Sequence, residues 1–270
     1  MRPGTSLYRL KPQRAMPNEP LQTTDDQTSQ SLLLGGQVRL LQPKAGYRAG
    51  MDAALLAAAV QGRPGERLLE AGCGAGAALL QTAVRAPGAR LIGVERDPAA
   101  LVLAERNIAL NDLQGSVQAV AGEVGAGFKT LGLPAFDGAF SNPPFFDDPT
   151  GLRGPHPAKR GAWLADDGLG AWTTFLLKAV REGGRIVVIH RADRLADLLA
   201  LLGAGAGSFR IRPVQPYADQ PAKRVLVQAI RTGKAPLVLL PPLTMHARDA
   251  GKHTPEAEAI LRGEASLGWS

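Results

Sequence analysis

The sequence predicts an α/β fold, a mostly parallel sheet with helices on both faces. From residue 67 to residue 190, short apolar runs typical of buried strands alternate with longer runs of helical composition. This alternation favours parallel strands joined by helical crossovers. Nearer the C-terminus, two further strand-like runs are separated by a Pro-rich link that is too short for a crossover helix, which predicts one antiparallel strand.

The first 60 residues precede this alternating region. Residues 1–30 are polar and rich in Pro, Gln, Thr and Asp, so ordering them would bury too little apolar area, and we expect a disordered arm. The Gly-Gly pair in "LLLGGQVRLLQ" (32–42) predicts a hairpin turn. The Ala- and Leu-rich "GMDAALLAAAV" (50–60) predicts a helix. We therefore expect one domain over residues 31–270 that begins with this hairpin.

The alternating region supplies the sheet and its covering helices in order. The predicted strands are "RLLEA" (67–71), "RLIGVE" (90–95), "SVQAVAG" (116–122), "DGAFSN" (137–142), "RIVVIH" (185–190), "SFRIRPVQP" (208–216) and "RVLVQAI" (224–230). The predicted helices are "GAALLQTAVRA" (76–86), "PAALVLAERNIALN" (98–111) and "GLGAWTTFLLKAVREGG" (168–184).

Composition narrows the class of protein. The chain has 270 residues, of which 45% are hydrophobic, enough for one good core. No apolar run approaches the roughly 20 residues of a membrane helix, and the basic N-terminus lacks the apolar segment of a secretory signal, although an organelle transit peptide stays an alternative. The only cysteine, Cys73, cannot form an internal disulfide, so we expect a reducing compartment, by default the cytoplasm. The four histidines have no metal-site spacing, and we expect no metal.

A glycine-rich turn follows the first strand of the alternating region. Gly72, Gly74 and Gly76 allow the backbone to approach a ligand at the start of a helix. Their spacing is G-x-G-x-G, and Ala77 stands where the dinucleotide fingerprint requires glycine. The turn alone is therefore a weak signal, which also fits an α/β protein without a cofactor.

Two acids give this turn a more specific meaning. Glu70, just before the first glycine, would repel a pyrophosphate but suits a cationic ligand such as an ammonium group. Glu95 ends the next predicted strand, where such folds bind ribose hydroxyls. Together they describe a positively charged nucleoside without phosphates, as S-adenosyl-L-methionine is.

A rigid turn ends the fourth strand of the alternating region, in "AFSNPPFFDD" (139–148). Pro143 and Pro144 lack N–H groups and have fixed φ angles, so regular structure must stop at Asn142. By itself such a turn is as easily a surface feature. The Asn142 amide oxygen and the Pro143 carbonyl can also accept hydrogen bonds from one planar NH₂ group, and Phe145 can stack on the ring that carries it.

These motifs resemble those of class I S-adenosylmethionine-dependent methyltransferases. The acid and glycines of the turn match the first motif, Glu95 matches the ribose-binding acid, and Glu123 in "VAGEV" matches a position near the adenine that is usually Asp. The resemblance implies a Rossmann-like sheet of seven mostly parallel strands with one antiparallel strand, and S-adenosyl-L-methionine as cofactor. It also implies that the Asn-Pro-Pro turn lies at the carboxyl edge of the sheet, beside the methyl donor.

In the resembled family, [NDS]-PP-[YF] marks methylation of an amino nitrogen on adenine, cytosine, guanine or a protein glutamine. Accepting both N–H bonds draws electron density onto that nitrogen and orients it toward the sulfonium methyl group. No general base is then required, and the motif leaves the substrate open.

The flanking segments resemble bacterial methyltransferases that form N(6)-methyladenosine at the adenine just 3′ of the anticodon of a valine tRNA. The similar segments are "QPKAGYRAGMDAALLAAAV", "NPPFFDDP", "AWTTFLLKAVREGGRIVVIHRADRL" and "PAKRVLVQAIR", within residues 32–264. In that family the "YRAGMDA" segment helps to close over the methyl donor, which implicates Tyr47, Arg48 and Asp52. A helix cap with surface contacts explains these three residues equally well.

Basic side chains near the rigid turn are the expected RNA contacts. The loop "DDPTGLRGPHPAKRGAW" combines basic groups with an aromatic ring, which suits a phosphate backbone and an unstacked base. Such a run is commonly only a solvated loop, and a formal net charge of +7 also occurs in proteins without RNA ligands. The expected contacts are Arg153, His156, Lys159 and Arg160 in this loop, with Lys223 and Arg224 as a second patch.

Three alternatives stay open. Protein methyltransferases that act on a release-factor glutamine share the Asn-Pro-Pro turn, but they carry a helical domain before the core and usually Tyr where this chain has Phe145. Ribosomal RNA amino-group methyltransferases share the chemistry but often carry a duplicated copy of the fold. A non-enzymatic RNA-binding protein would not need an intact Asn142, Pro143 and glycine turn. We therefore expect a tRNA adenine methyltransferase, with no membrane partner and with an oligomeric state that the sequence does not indicate.

Overall fold

An N-terminal hairpin precedes a central sheet in the computed structural model, which describes residues 28–44, 50–144, 168–248 and 252–270. The strands are β1 (Thr28–Leu33), β2 (Val38–Pro43), β3 (Arg67–Ala71), β4 (Arg90–Glu95), β5 (Val117–Ala121), β6 (Phe136–Ser141), β7 (Val180–Arg191), β8 (Ala206–Gln215), β9 (Arg224–Arg231), β10 (Val238–Leu239) and β11 (Leu243–Thr244). The helices are α1 (Met51–Ala59), α2 (Ala77–Arg85), α3 (Pro98–Leu110), α4 (Gly168–Ala179), α5 (Leu195–Gly203) and α6 (Pro255–Arg262).

The central sheet confirms the predicted fold class. Its strand order is β10-β8-β9-β7-β6-β3-β4-β5, and β11 also pairs with β8. Strand β9 is antiparallel to β7 and to β8, whereas the other pairs in this sheet are parallel. The seven longer strands form the expected sheet, and β10 and β11 add two residues each to its edge.

Helices cover both faces of the sheet. One apolar core joins the sheet to α1, α2, α3 and α6 through residues such as Leu56, Leu80 and Ile108. The hairpin joins the same core through Leu34 and Leu40, which are almost fully buried. The second core packs α4 and α5 on the opposite face. No described helix is long and apolar enough to span a membrane.

The carboxyl ends of β3 and β6 meet at the point where the chain order reverses. Strand β3 lies between β4 and β6, and its last residue, Ala71, pairs with Ser141, the last residue of β6. Ligands of doubly wound sheets bind at such a switch point, outside the carboxyl ends of the strands. The glycine turn and the Asn-Pro-Pro turn both start here.

The largest differences from the sequence-based boundaries lie at the junction of α4 with β7 and at the start of β1. Helix α4 ends at Ala179 and not at residue 184, because Val180 already pairs with Phe136 and Gly183 has a φ of 72°, which a helix cannot contain. Strand β1 begins at Thr28, so its first residues fall inside the predicted arm. Residues 1–27 lie outside the described residues.

Candidate active site

The loop after β3 is held in shape by backbone hydrogen bonds. The amides of Gly72 and Cys73 both donate to the Val94 carbonyl, at 2.8 and 3.0 Å. All three predicted glycines have positive φ, which favours glycine at each place. A Cβ on Gly72 would lie 2.4 Å from the Trp172 ring, whereas a Cβ on Gly74 would meet nothing within 4 Å. Gly72 therefore admits the Trp172 side chain, and Gly74 borders open space.

Glu95 ties this loop to the end of β4. Its Oε2 accepts a hydrogen bond from the Gly74 amide at 2.8 Å. Its Oε1 accepts from the amides of Arg96 at 2.9 Å and Asp97 at 2.8 Å. The predicted ribose-binding acid thus lies directly beside the predicted glycine turn.

Glu123 lies on the neighbouring strand end. The Gly122 amide donates to the Glu95 carbonyl at 2.9 Å, which joins the exit of β5 to the end of β4. The Glu123 side chain is exposed, with its Oε1 3.6 Å from an Arg96 guanidinium nitrogen. A cavity of about 210 Å³ begins at the next residue, Val124, and extends to α4, where Phe175 lines it.

Glu70 is buried beneath the glycine loop. It is 3% exposed, and its Oε2 has no hydrogen-bond partner among the described residues. Burial raises the pKa of this carboxyl well above its usual range, and the charge of Glu95 raises it further. A nearby cation would favour the ionised form, so the environment is compatible with the predicted ammonium partner.

Asn142 stands directly beyond the last β6 residue. The Ser141 hydroxyl donates to the Ala71 carbonyl at 2.9 Å and fixes the end of β6 against the start of the glycine loop. The Oδ1 atom of Asn142 is buried and has no hydrogen-bond partner among the described residues. Leaving such an acceptor unpaired costs about 1–3 kcal/mol, which a ligand N–H group would recover. Pro143 and Pro144 follow in irregular backbone, as predicted.

The second predicted RNA-binding patch, Lys223 and Arg224, lies on the same side of the sheet as the end of β6, but away from the glycine loop. Arg224, the first β9 residue, pairs in register with Arg191 at the end of β7. Its Nε lies 2.9 Å from Asp52 Oδ2 in the first turn of α1. The predicted donor-closing acid and a predicted RNA contact are therefore ion-paired with each other, with the exposed Lys223 beside them.

Seven predicted site residues lie outside the described residues. They are Tyr47, Arg48, Phe145, Arg153, His156, Lys159 and Arg160.

The sequence reasoning missed two asparagines that bind the hairpin, of which Asn107 also bonds to the glycine loop. Asn107 accepts from the Leu41 amide at 2.7 Å and donates to the Leu41 carbonyl and to the Ala75 carbonyl, both at 2.9 Å. Asn111 accepts from the Arg39 amide at 2.8 Å and donates to the Arg39 carbonyl at 2.7 Å. Asn107 inside α3 was the available signal, because Asn is a poor helix former, whereas Asn111 directly follows the last residue of α3.

Two other titratable groups near the site are buried. Burial raises the pKa of the Cys73 thiol well above its usual range, and the charges of Glu70 and Glu95 raise it further, so this cysteine is unsuited to act as a nucleophile. Burial, together with the charges of Arg224 and Arg191, lowers the pKa of His190 to about 4. The described residues contain no group of three or more side chains that could hold a metal ion.

Comparisons with known proteins bear on this site. The family model of the methyltransferase small domain matches residues 48–151. A tRNA1(Val) (adenine(37)-N6)-methyltransferase from Porphyromonas gingivalis is 30% identical over 196 residues, which are 68% of this chain and 75% of that protein. A protein of the same name from the Flavobacteriaceae bacterium strain 3519-10 is 32% identical over 107 residues, or 39% of this chain, and the match spans only 45% of that protein.

A solved structure supports the same architecture. The crystal structure of a predicted O-methyltransferase, Atu636 from Agrobacterium tumefaciens, has a TM-score of 0.67 and 27% sequence identity to this chain. The comparison covers 80% of this chain and 98% of that one.

Proposed function

Because this chain belongs to the S-adenosylmethionine-dependent methyltransferases that carry a methyltransferase small domain, we propose that it methylates N6 of an adenine in tRNA, in the anticodon loop of a valine tRNA. The observation that carries the proposal is the buried, unpartnered Oδ1 of Asn142 at the edge where β6 meets the glycine loop. The two curated relatives described above bear the name of this activity.

The Asn-Pro-Pro turn favours an amino nitrogen over a hydroxyl as the acceptor. An amino group on a planar ring has two N–H donors, which match the Asn142 amide oxygen and the Pro143 carbonyl. A hydroxyl has only one proton and must lose it to a general base before it attacks efficiently. Neither of these two oxygens is basic enough for that role at neutral pH. We therefore prefer N-methylation, although the related Atu636 is titled a predicted O-methyltransferase.

The donor would bind over β3, β4 and β5. When bound, S-adenosyl-L-methionine supplies an electrophilic methyl group on a sulfonium centre. The open space at Gly74 would admit the ligand, Glu95 would accept hydrogen bonds from the ribose hydroxyls, and Glu123 would lie near the adenine. Glu70 would ionise to meet the ammonium group, since a nearby cation opposes the rise of its pKa.

The acceptor base has to leave its stack before it reaches Asn142. Flipping a base costs a few kcal/mol and is least costly in a single-stranded loop. Asn142 then orients the amino group by accepting one N–H bond, and the prolines hold the two acceptors in a fixed arrangement. Catalysis by this chain is therefore mostly a matter of orientation and electrostatics.

Methyl transfer from labelled S-adenosyl-L-methionine tests the proposal directly. Unmodified total tRNA and a peptide-release factor are incubated in parallel with the protein, and the digested nucleosides are analysed by mass spectrometry. We expect label in N(6)-methyladenosine. Label only in the release factor would replace the proposal with glutamine methylation, and label in another nucleoside would retain the enzyme class but change the target base.

A further inference from the structure

A stack of aromatic and cationic side chains lies beyond the end of β8. The rings of Tyr217 and His246 are 5.5 Å apart and tilted by 46°, and those of His246 and His253 are 5.2 Å apart and stacked, with an angle of 25° between their planes. The guanidinium carbon of Arg248 lies over the Tyr217 ring, 4.6 Å from its centre. Arg248 also contacts both carboxylate oxygens of Asp219, at 3.0 and 2.9 Å.

This stack and Asn142 lie at the same side of the sheet, where the parallel strands end. Val214 near the end of β8 pairs with Arg224 of β9, and Arg224 pairs with Arg191 at the end of β7. Strand β7 lies beside β6, which Asn142 follows. With neighbouring strands about 4.8 Å apart, the three spacings from β6 to β8 separate the ends of these two strands by on the order of 14 Å.

The acceptor has to approach over the ends of β7, β9 and β8. The predicted donor-binding glycine turn, Glu95 and Glu123 lie at the ends of β3, β4 and β5, on one side of Asn142. The ends of β7, β9 and β8 lie on the other side. A macromolecule whose target base enters between the donor and Asn142 therefore has its neighbouring nucleotides over these strand ends.

We propose that Tyr217 and Arg248 bind a nucleotide that flanks the target base, and that Asp219 masks Arg248 until RNA binds. The inference rests on the proposed function, because it takes RNA as the substrate. A guanidinium group and a phenol ring both stack on a nucleobase regardless of its identity, and Arg248 can contact a phosphate as well. The site would therefore bind single-stranded RNA with little sequence preference.

The ion pair with Asp219 is suited to exchange. The side chain of Arg248 is 56% exposed and that of Asp219 is 65% exposed, so solvent screens the attraction between them. A phosphate can replace the carboxylate at small cost. His246 is held more firmly, because its amide donates to the Pro216 carbonyl at 2.8 Å and its Nδ1 lies 2.7 Å from the Lys252 carbonyl oxygen. His246 is thus a fixed neighbour of the Tyr217 ring, and Arg248 is the contact that RNA can replace.

Stacking predicts a specific pattern among variants at Tyr217. We expect Tyr217→Leu to weaken binding of an anticodon stem-loop by about tenfold and to raise the KM for tRNA by a similar factor, because it removes the π surface. Tyr217→Phe should retain wild-type binding, because the ring remains. The KM for S-adenosyl-L-methionine should not change in either variant. RNA binding is measured by fluorescence anisotropy, and KM values by labelled methyl transfer.

Variants of the ion pair separate this proposal from a purely structural role. Arg248→Gln should weaken RNA binding several-fold, while Asp219→Asn should strengthen it, because it removes a carboxylate that competes with phosphate. If the pair only stabilised the fold, both variants would leave RNA affinity unchanged or lower it. Arg181→Gln is the matched control, since Arg181 is also 56% exposed and ion-paired, but lies at the opposite edge of the sheet.

The outcomes distinguish the two proposals. Wild-type protein that methylates tRNA while Tyr217→Leu and Arg248→Gln bind it normally would overturn the stacking site alone. Wild-type protein that transfers no methyl group to RNA would overturn the proposed function and the stacking site with it.

Discussion

The carboxyl ends of β3, β4 and β5 form the donor half of the site, and Asn142 with the ends of β7, β9 and β8 at the same side of the sheet forms the acceptor half. The two halves are built from different kinds of interaction. On the donor half, the glycine loop is fixed by backbone amides and by buried or half-buried side chains, such as Glu95 on the Gly74 amide and Asn107 on the Ala75 carbonyl. On the acceptor half, the Asn142 oxygen has no described partner, and partly exposed ion pairs join Arg224 to Asp52 and Arg248 to Asp219. A small donor suits a prearranged pocket, whereas a macromolecule that must bind and leave suits contacts that exchange easily.

The halves also differ in how their buried groups respond to pH. Glu70 on the donor side has a raised pKa, so the folded state favours its protonated form. His190, at the end of β7 on the acceptor side, has a pKa lowered to about 4, so the folded state favours its neutral form. Acidification therefore relieves the cost of burying Glu70 but imposes a cost on keeping His190 neutral. The acceptor half is the acid-sensitive one.

The largest expected effect comes from removing the unpartnered acceptor. Asn142→Ala should lower kcat by about 10³-fold, as loss of one prearranged polar group in an active site does. The Kd for S-adenosyl-L-methionine should stay nearly the same, because Asn142 belongs to the acceptor half. Single-turnover methylation and calorimetric donor binding measure the two quantities. Equal losses in both would refute the assignment of Asn142 to the acceptor.

The next largest effect should come from the donor half. Asn107→Leu would leave the Leu41 amide and carbonyl and the Ala75 carbonyl without this partner, and we expect it to cost about 3 kcal/mol of unfolding free energy. Because one of those groups belongs to the glycine loop, the Kd for S-adenosyl-L-methionine should rise about tenfold, which corresponds to about 1.4 kcal/mol. Urea titration and calorimetry measure the two effects.

Asn111→Leu is the matched control for this test. Asn111 makes the same paired bonds to Arg39 of the hairpin but has no bond to the glycine loop. We expect a smaller loss of stability and an unchanged donor Kd. If both variants raised the Kd equally, the hairpin as a whole, and not the bond to Ala75, would position the donor loop.

The third prediction concerns pH and the acceptor half. The unfolded chain takes up a proton at His190 near pH 6.5, whereas the folded protein resists it down to about pH 4. Stability from this group is therefore complete above pH 6.5 and is lost as the pH falls. Each pH unit below 6.5 lowers the free energy of unfolding by about 1.4 kcal/mol, so at pH 5 the protein should have lost about 2 kcal/mol of stability. His190→Gln should remove this part of the pH dependence, and urea titrations of both proteins from pH 4.5 to 7.5 measure it. Parallel curves would show that His190 does not cause it.

The donor half was more accessible to sequence reasoning than the acceptor half. Gly72, Gly74 and Gly76 each need positive φ, and local backbone geometry depends mostly on local sequence. Strands β3 and β4 were predicted to the residue, because their apolar runs are short and end in turn residues. Glu95 was predicted as the ribose-binding acid because it ends the next strand, where such folds bind ribose hydroxyls.

Pairings between distant side chains could not be predicted in the same way. Asp52 and Arg224 are far apart in sequence, and they meet only because α1 packs against β7, whose last residue pairs with Arg224 of β9. Asn107 has the same difficulty, because its partners depend on where the hairpin packs. The end of α4 was misplaced because the pairing of Val180 with Phe136 overrides the helical composition of that segment.

The smallest expected effect lies in the ion pair between Asp52 and Arg224, whose side chains are 23% and 31% exposed. A double-mutant cycle with Asp52→Asn and Arg224→Gln should give an interaction energy of about 0.5–1 kcal/mol in unfolding free energy, because solvent partly screens the pair. The same variants test the predicted roles of the two residues. If Asp52 serves the donor, Asp52→Asn raises the Kd for S-adenosyl-L-methionine, and if Arg224 serves RNA, Arg224→Gln raises the KM for tRNA alone. An interaction energy near zero, with the donor Kd and the KM for tRNA both unchanged, would make the pair a surface contact. The end of β9 would then not belong to the acceptor half.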